Sequence, residues 1–279
     1  MREFTEAERI ERSLTKTYKG PIFSKFLQAI DQYRLVEDGD KICVALSGGK
    51  DSLVMAKLFQ IWQRASQVRF DLVFLTMDPG FLEDHLEKHL DNCKRLAIDV
   101  VVKPSKIFSV AEGMSPESPC FLCARMRRGF LYKTAKEMGC NKLALGHHFD
   151  DVVETTLMNM FYAGQFKTMM PKAKSENYEG IELIRPLYMV KEADILRFTK
   201  SNHIETMNCG CKIASCQLDS KRREMKHLVE AMRKKYVNTD INLFRAAENV
   251  NLNGVLGYYD DDSRVSFMDR YDQNTEEVC

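Results

Sequence analysis

The chain has 279 residues, of which 44% are hydrophobic and 29% are charged. This balance excludes a disordered chain and a fibrous one, and it is sufficient for one large core or two smaller ones. The 41 basic residues nearly cancel the 40 acidic ones, which gives a formal net charge of +1. A polyanionic partner must therefore bind at a local basic patch, because the field of the whole molecule is too weak to attract it.

The amino-terminal segment has no feature of an export signal. Residues 1–20 mix charges of both signs and lack the apolar core and small-residue cleavage site of a signal peptide. No apolar run approaches the roughly 20 residues that a bilayer crossing needs. We therefore expect a soluble, cytoplasmic protein, in which the nine cysteines serve metal binding or redox chemistry more often than disulfides.

Strand-like and helix-like patterns alternate through the first two thirds of the chain. Continuous apolar runs predict strands at 42–46, 70–77, 99–103 and 142–146, and amphipathic patterns predict helices at 52–65 and 83–96. Buried strands separated by helices are typical of a parallel sheet covered on both faces. The predicted fold class is therefore α/β, with a doubly wound parallel sheet.

This pattern divides the chain into four predicted parts. A helical extension at 1–35 precedes the α/β domain at 36–190, and a helical region at 191–257 and an acidic tail at 258–279 follow it. In the helical region, helices are predicted at 191–202 and 218–236, on either side of a cysteine-rich segment. Two loops are predicted, at 110–119 and at 164–180, and the second is long enough to serve as a functional loop or lid. The tail is expected to be solvated or poorly ordered.

A glycine-rich loop follows the first predicted strand, in the segment Leu46-Ser-Gly-Gly-Lys-Asp-Ser52. Gly48 and Gly49 let the backbone approach an anion closely, and the next helix offers unpaired N–H groups at its N-terminus. Lys50 adds a cation, and the two serines add hydroxyl groups. The loop is therefore predicted to bind phosphate, at the edge where open α/β sheets bind ligands.

Asp51 needs a separate explanation, because a carboxylate inside a phosphate site repels the phosphates. It is either a helix cap or a Mg²⁺ ligand shared with the phosphates. The loop is not a kinase-type P-loop, since Val44 stands where the first glycine of G-x-x-x-x-G-K-[ST] would be.

The motif SGGKDS after a buried strand resembles the pyrophosphate loop of the ATP pyrophosphatases, which cleave ATP between its α and β phosphates. The segment 145–155, LGHHFDDVVET, is similar to the G-H-H-x-D-D stretch of the same superfamily. Asp150 and Asp151 fall at a predicted helix start, where carboxylates are favoured and can reach a metal. The resemblance implies catalytic roles for Lys50, Asp51 and Asp151. It implies a nucleotide site formed by Ala45, Ser47, Gly48, Gly49, Lys50, Asp51, Ser52, Met77 and Gly146.

Five cysteines form two clusters. Cys120 and Cys123 stand three residues apart at the start of a predicted helix and so share one face. Cys209, Cys211 and Cys216 follow much later. Three interpretations stay open on spacing alone: a structural zinc site, an iron–sulfur cluster, and a dithiol that attacks sulfur carriers.

Residues 20–255 are similar to the tRNA 2-thiocytidine synthetases, a branch of the ATP pyrophosphatases. The shared phrases are CFLCARMRRGFLYKTA, KLALGHHFDDVVETTLMNMFYAG, MMPK and IRPL, in this order. The resemblance implies a 4Fe-4S cluster held by Cys120, Cys123 and one later cysteine. Cys209 and Cys211 are the main candidates for the third ligand and Cys216 is a further one, because this chain has C-x-C where the family has C-x-x-C.

The resemblance also implies a reaction and its partners. ATP and Mg²⁺ would activate the C2 oxygen of a tRNA cytidine, at position 32. Sulfur from a cysteine desulfurase would then replace that oxygen. A second copy of the chain, in a homodimer, is also among the expected partners. Two basic segments are candidates to contact RNA phosphates: the set Arg125, Arg127, Arg128 and Lys133, and residues 221–235, with seven basic and two acidic residues. A solvated helix face explains the second segment as well. The aromatic stretch 161–170 could stack a base or form a packed lid.

Three alternative functions share the predicted nucleotide site with this hypothesis. The first is a thiolase of another nucleoside or small molecule, and the second is an amide-forming ligase such as the tRNA lysidine synthetases. The cysteines argue against the ligase, since amide formation needs no sulfur carrier. The third is a nucleotide-binding redox sensor in which an iron–sulfur cluster regulates binding and catalyses nothing.

Overall fold

The computed structural model describes residues 3–81, 83–105, 107–114, 119–206, 220–260 and 262–276. The strands are β1 Lys41–Leu46, β2 Asp71–Asp78, β3 Val100–Pro104, β4 Lys142–Ala144, β5 Lys172–Lys174, β6 Glu182–Ile184, β7 Gly257–Tyr259 and β8 Arg264–Ser266. The helices are α1 Glu6–Arg12, α2 Ser24–Gln32, α3 Lys50–Ala65, α4 Glu83–Arg95, α5 Ile107–Met114, α6 Pro119–Glu137, α7 Phe149–Ala163, α8 Glu192–Ser201, α9 Ser220–Lys235, α10 Thr239–Ala246 and α11 Phe267–Glu276. None of the helices in these ranges is long and apolar enough to span a bilayer.

Six strands form one sheet in the order β3-β2-β1-β4-β6-β5. The first five strands of this order run parallel to one another, and β5 pairs antiparallel to β6 at one edge. The predicted α/β class is thereby confirmed, with one addition. The strand β5 lies inside the predicted loop at 164–180, where three residues are too few for a recognisable apolar pattern.

The two faces of the sheet are covered by separate sets of apolar side chains. Along β1, Ile42 and Val44 join the core formed with α2, α3 and α7. Cys43 and Ala45 point to the opposite face and pack with residues of α6 and β6. This alternation follows from the period of two in a strand, and it explains why β1 appears in the sequence as a continuous apolar run.

The sheet places one crevice at a defined position. The chain passes from β1 to β2 on one side and later returns to β4 on the other side, so the strand order reverses between β1 and β4. Open α/β sheets bind ligands outside the carboxyl ends of the strands at such a point. The glycine-rich loop follows β1 and the segment 145–148 follows β4, so both lie at this crevice.

One segment differs from its sequence prediction, and two others agree with theirs but have more structure than the sequence pattern indicates. Residues 107–114 form α5, so the first part of the predicted loop at 110–119 is helical, because Gly113 stands near the end of the helix, where it is tolerated. The predicted extension at 1–35 contains α1 and α2, joined by π-helical turns at Ser13–Thr17 and Lys19–Phe23. In the tail, β7 and β8 form a hairpin and α11 follows it, and most of the side chains described there are exposed, as predicted for a solvated segment.

Candidate active site at the carboxyl ends of the strands

The glycine-rich loop is held by its own serines. Ser52 is buried, and its hydroxyl donates to the Gly49 carbonyl at 2.9 Å and accepts from the Ser47 N–H at 3.2 Å. Gly48 adopts a positive φ of 80°, which favours glycine. The loop therefore has a fixed shape before any ligand binds, and Ser52 acts as an internal tie of the loop.

Lys50 begins α3 and lies between two carboxylates. Its ammonium is 3.1 Å from Asp51 Oδ2 and 3.0 Å from Glu192 Oε1. Burial alone would lower the pKa of Lys50, but these two negative charges raise it above its usual range. The lysine is therefore firmly cationic and is supported from α8 as well as from the loop.

Asp51 has an oxygen with no partner. Its Oδ1 atom is buried and accepts no hydrogen bond from the described residues, and His148 Nε2 is 3.9 Å away. Asp51 is not the N-cap of α3, a position occupied by Gly49 without a side-chain cap. Of the two roles predicted for Asp51, a cation ligand is the one that would satisfy this oxygen.

The two aspartates after β4 have different surroundings. Asp151 closes a capping box with His148, in which the His148 N–H donates to Asp151 Oδ2 at 2.9 Å. Both oxygens of Asp150 are occupied: one accepts from the Glu192 N–H and the other from Arg233, each at 2.7 Å. Asp151 lines the cavity described below, so it is the member of the pair placed to meet a ligand.

A cavity of about 1220 Å³ opens at the carboxyl ends of β1 and β4. Its walls come from the glycine-rich loop, from α6, α7 and α9, and from the segment 167–170. Of the residues assigned to nucleotide binding or catalysis, those that line the cavity are Ala45, Ser47, Lys50, Asp51, Ser52, Met77, Gly146 and Asp151. Gly48 and Gly49 are in the loop itself. The backbone at Gly146 approaches the start of α3 closely, and a glycine is needed there because a Cβ would lie 3.1 Å from the Ser52 nitrogen.

The helix α9 supplies cations to the cavity. Lys226 donates to Glu192 Oε2 at 2.6 Å, so one carboxylate joins α9 to Lys50 of the loop. Burial would raise the pKa of Glu192, but the hydrogen bond from Lys226 and the charge of Lys50 hold it at about 2. Arg222 lies 3.5 Å from Asp151 Oδ1 and 3.4 Å from Glu154 Oε2.

Several cations that were predicted to contact RNA have carboxylate partners instead. Arg233 pairs with Asp150 at 2.7 Å and with Asp240 at 2.9 Å, which ties α9 to α7 and α10. Arg222 and Lys226 are paired as described above. The structure thus assigns part of the basic run at 221–235 to internal ion pairs, which sequence patterns do not distinguish from a solvated face.

The segment 164–171 is held against the cavity wall. The Asn159 side chain donates to the Lys167 carbonyl at 2.8 Å, and the Tyr188 hydroxyl donates to the Met169 carbonyl at 2.7 Å. Met170 lines the cavity and is half or more exposed, as are Phe161 and Phe166, which stand close in the chain to the wall residues Asn159 and Lys167. The predicted functional loop is therefore a tethered wall with apolar groups at its edge.

Cys123, of the first cysteine pair, stands one helical turn before a residue of the cavity wall. Positions 120 and 123 are one turn apart at the start of α6, and Cys123 is partly exposed. One turn further, Arg127 lines the cavity, and residues four apart on a helix have Cβ atoms about 6 Å apart. The side chain of Cys120, together with Cys209, Cys211 and Cys216, lies outside the described residues. Among the side chains that are described, no three His, Cys, Asp or Glu groups gather as a metal site.

Sequence reasoning did not single out Glu154, Glu192 or Arg185. Arg185 lines the cavity and donates to His147 Nδ1 at 3.3 Å, and burial lowers the pKa of His147 to about 4, which keeps this histidine neutral. Glu154 could have been predicted from the sequence, because it stands one helical turn after Asp151 and so shares a face of the predicted helix with it. Glu192 could not, since it reaches Lys50 across 142 positions of the chain.

Comparison with known proteins agrees with a phosphate-binding site at the glycine-rich loop. A family model described as a PP-loop domain matches residues 18–208. Curated relatives named tRNA-cytidine(32) 2-sulfurtransferase are 38% identical in Vibrio cholerae and 39% identical in Paraburkholderia xenovorans, each over 80% of this chain. The matches cover 72% and 66% of those relatives. The chain belongs to the PP-loop family, in its tRNA-cytidine(32) 2-sulfurtransferase branch.

A solved structure supports the PP-loop fold. The U34-tRNA thiolase NcsA from Methanococcus maripaludis, determined with its 4Fe-4S cluster, superposes with a TM-score of 0.65. The match covers 90% of this chain and 87% of that chain at 20% identity. Such a distant likeness establishes the shared fold, and the glycine-rich loop is accordingly the PP-loop.

Proposed function

We propose that this chain is an ATP-dependent tRNA sulfurtransferase that converts a cytidine, at position 32, to 2-thiocytidine. The observation that carries the proposal is the single cavity that reaches from the PP-loop to Arg127 of α6, one helical turn after Cys123. An activating site and a sulfur-delivery site can serve one base only if both open into the same space.

The first half-reaction is adenylation of the base. The cytidine C2 oxygen forms a bond to the α phosphorus of ATP, and the bond between that phosphorus and the bridging oxygen breaks, so that pyrophosphate leaves. Lys50 and the N-terminus of α3 stabilise the charge on the phosphates. Asp51, with its unpartnered buried oxygen, would hold Mg²⁺ beside the phosphates, with Asp151 as a second candidate ligand. A Mg²⁺ ion there would offset phosphate charge.

The second half-reaction replaces the activated oxygen. Sulfur at the oxidation level of sulfide bonds to C2, the bond from C2 to the adenylate oxygen breaks, and AMP leaves. Cys120, Cys123 and one of Cys209 or Cys211 would hold a 4Fe-4S cluster, which supplies an open iron for sulfide when it is bound. The fit rests on two thiol positions on one face of α6. A cysteine desulfurase would provide the sulfur as a persulfide, and two electrons from a thiol reductant, which becomes a disulfide, would release it as sulfide.

The RNA is proposed to enter over the rim of the cavity. Arg127, Arg128, Arg223 and Met170 line its wall, and Phe161 and Phe166 are exposed close in the chain to the wall residues Asn159 and Lys167. Cations of this kind bind phosphates, and apolar rings stack on bases that leave the helix. The tRNA substrate and the absence of an apolar spanning helix in the described ranges fit a cytoplasmic enzyme.

The test is direct reconstitution. Protein purified without oxygen, tRNA, ATP, Mg²⁺ and a sulfide source are combined, and the tRNA nucleosides are analysed by mass spectrometry. Formation of 2-thiocytidine with one pyrophosphate and one AMP per base is the expected result. Pyrophosphate release without 2-thiocytidine, from protein that contains iron, would contradict the proposal.

A further inference from the structure

Glu154 is a buried carboxyl group that lines the cavity, and no step described above uses it. The residue is 6% exposed, and its Oε2 atom lies 3.4 Å from Arg222 Nε. The other carboxylates of the cavity have defined partners or a defined place: Glu192 accepts from two lysines, Asp151 caps α7, and Asp51 adjoins Lys50. Glu154 is therefore the acid in the described wall whose hydrogen-bonding capacity is least used.

The position of Glu154 on α7 places it beyond the phosphate end of the cavity. It is three residues after Asp151, which is a rise of about 4.5 Å along the helix. Thr155 and Asn159 continue the same wall toward the rim. The cavity has room for a base whose C2 oxygen reaches the α phosphate at the PP-loop to direct its C4 edge into this part of the wall.

The chemistry of the base suggests what a carboxylate does there. Cytosine carries an amino group at C4, where uracil carries a carbonyl oxygen. A carboxylate accepts a hydrogen bond from the amino group and repels the carbonyl. When the C2 oxygen bonds to phosphorus, the ring gains positive charge that the amino group shares, so this hydrogen bond becomes stronger in the transition state.

The geometry points to Glu154 as the residue that accepts a hydrogen bond from the C4 amino group of the target cytosine and so selects cytosine over uracil. The inference rests on the proposed function, since it presumes a cytidine substrate. Arg222 positions the carboxyl group, and a 3.1 Å hydrogen bond to the Thr155 hydroxyl and the ion pair with Asp151 hold Arg222 in turn. Burial raises the pKa of Glu154 to about 7, and the charge of Arg222 acts in the opposite direction.

The experiment uses two tRNA transcripts, one with cytidine at the target position and one with the 2-pyrimidinone ribonucleoside, which lacks the amino group. Pyrophosphate release is measured with ATP and Mg²⁺. The unsubstituted protein should prefer cytidine by about 10- to 100-fold, the usual range for a hydrogen bond to a charged group. Glu154→Gln should lower the cytidine rate by about tenfold or more and leave the 2-pyrimidinone rate within about twofold. Its affinity for ATP should not change, which verifies folding.

A matched control separates recognition from support of Arg222. Thr155→Val removes the hydroxyl to which Arg222 donates, and it should keep most of the preference for cytidine, because Arg222 retains its ion pairs with Asp151 and Glu154. Equal losses on the two transcripts in Glu154→Gln would overturn the inference and leave the proposed function intact. No pyrophosphate release by the unsubstituted protein with cytidine tRNA would overturn both.

Discussion

The Lys226 ammonium of α9 lies 2.6 Å from the Glu192 carboxylate, whose second oxygen accepts from Lys50 of the PP-loop. This pairing connects the nucleotide loop to a helix that begins at Ser220, directly after the second cysteine segment. The carboxylate is 17% exposed, whereas the Lys226 side chain is 41% exposed, so the pair is only partly withdrawn from water. The phosphate site is therefore joined to α9 through one side chain.

Replacing this carboxylate should destabilise the protein in a pH-dependent manner. Glu192→Gln should lower the free energy of unfolding by about 2 kcal/mol near neutral pH, less than for a fully buried pair because the site is partly exposed. The folded pKa of Glu192 is about 2, below its unfolded value. The stabilisation is therefore complete above about pH 4.5 and declines as the pH falls toward 2. Urea unfolding at pH 7 and pH 3.5 measures the difference.

The control for this variant is Glu230→Gln on α9, since the Glu230 side chain is 48% exposed. It should change the free energy of unfolding by less than about 0.5 kcal/mol at both pH values. An unchanged difference between Glu192→Gln and the unsubstituted protein at pH 3.5 would show that charge pairing is not the cause.

Lys50 and Cys120 should separate the two half-reactions. Lys50→Ala should lower tRNA-dependent pyrophosphate release by about 100-fold or more, because it removes the cation at the phosphates, and iron content should stay the same. Cys120→Ala should retain pyrophosphate release and lose iron. Iron analysis and a coupled pyrophosphate assay measure the two effects. Loss of both properties in each variant would contradict the separation.

Asp51→Asn should raise the Mg²⁺ concentration required for activity. The buried Oδ1 atom of Asp51 has no partner among the described residues, and an amide is a weaker Mg²⁺ ligand than a carboxylate. We expect the half-saturating Mg²⁺ concentration for pyrophosphate release to increase on the order of tenfold. An unchanged Mg²⁺ requirement would assign the metal to Asp151 instead, and Asp151→Asn would then show the increase.

Arg233 tests which cations of α9 are structural. Its ion pairs with Asp150 and Asp240 involve carboxylates that are 10% and 6% exposed. Arg233→Ala should therefore lower the free energy of unfolding by about 3 kcal/mol at pH 7, because both buried acids lose a partner. Lys234→Ala, one position further, should have almost no effect on unfolding. Thermal or urea unfolding of both variants measures the difference. Equal stability of Arg233→Ala and Lys234→Ala would show that Arg233 is a solvated cation without a structural role.

The sheet and its ligand-binding edge were predictable because their signals are local. The apolar run of β1 and the glycine pair after it define a strand, a turn and a helix start within twelve residues. The segment 145–151 repeats the same transition after β4. Two such transitions in a parallel sheet must meet at one edge, so the nucleotide site followed from the strand order.

The electrostatic arrangement of the cavity was not predictable in the same way. Nothing near Glu192 in the sequence indicates that it joins Lys50 to Lys226, since both contacts are long-range. Likewise, Arg222 and Arg233 look like members of a basic helix face until α9 packs on α7. The sequence pattern reports charge and periodicity, whereas partner choice depends on how helices pack.

The central claim is that base activation and sulfur delivery meet in one cavity to make 2-thiocytidine in tRNA. The most direct measurement is mass spectrometry of tRNA nucleosides from cells that lack this protein and from the same cells supplied with the unsubstituted chain, Lys50→Ala or Cys120→Ala. We expect 2-thiocytidine to disappear without the protein and to return only with the unsubstituted chain. Full 2-thiocytidine in cells that express only Cys120→Ala would contradict it.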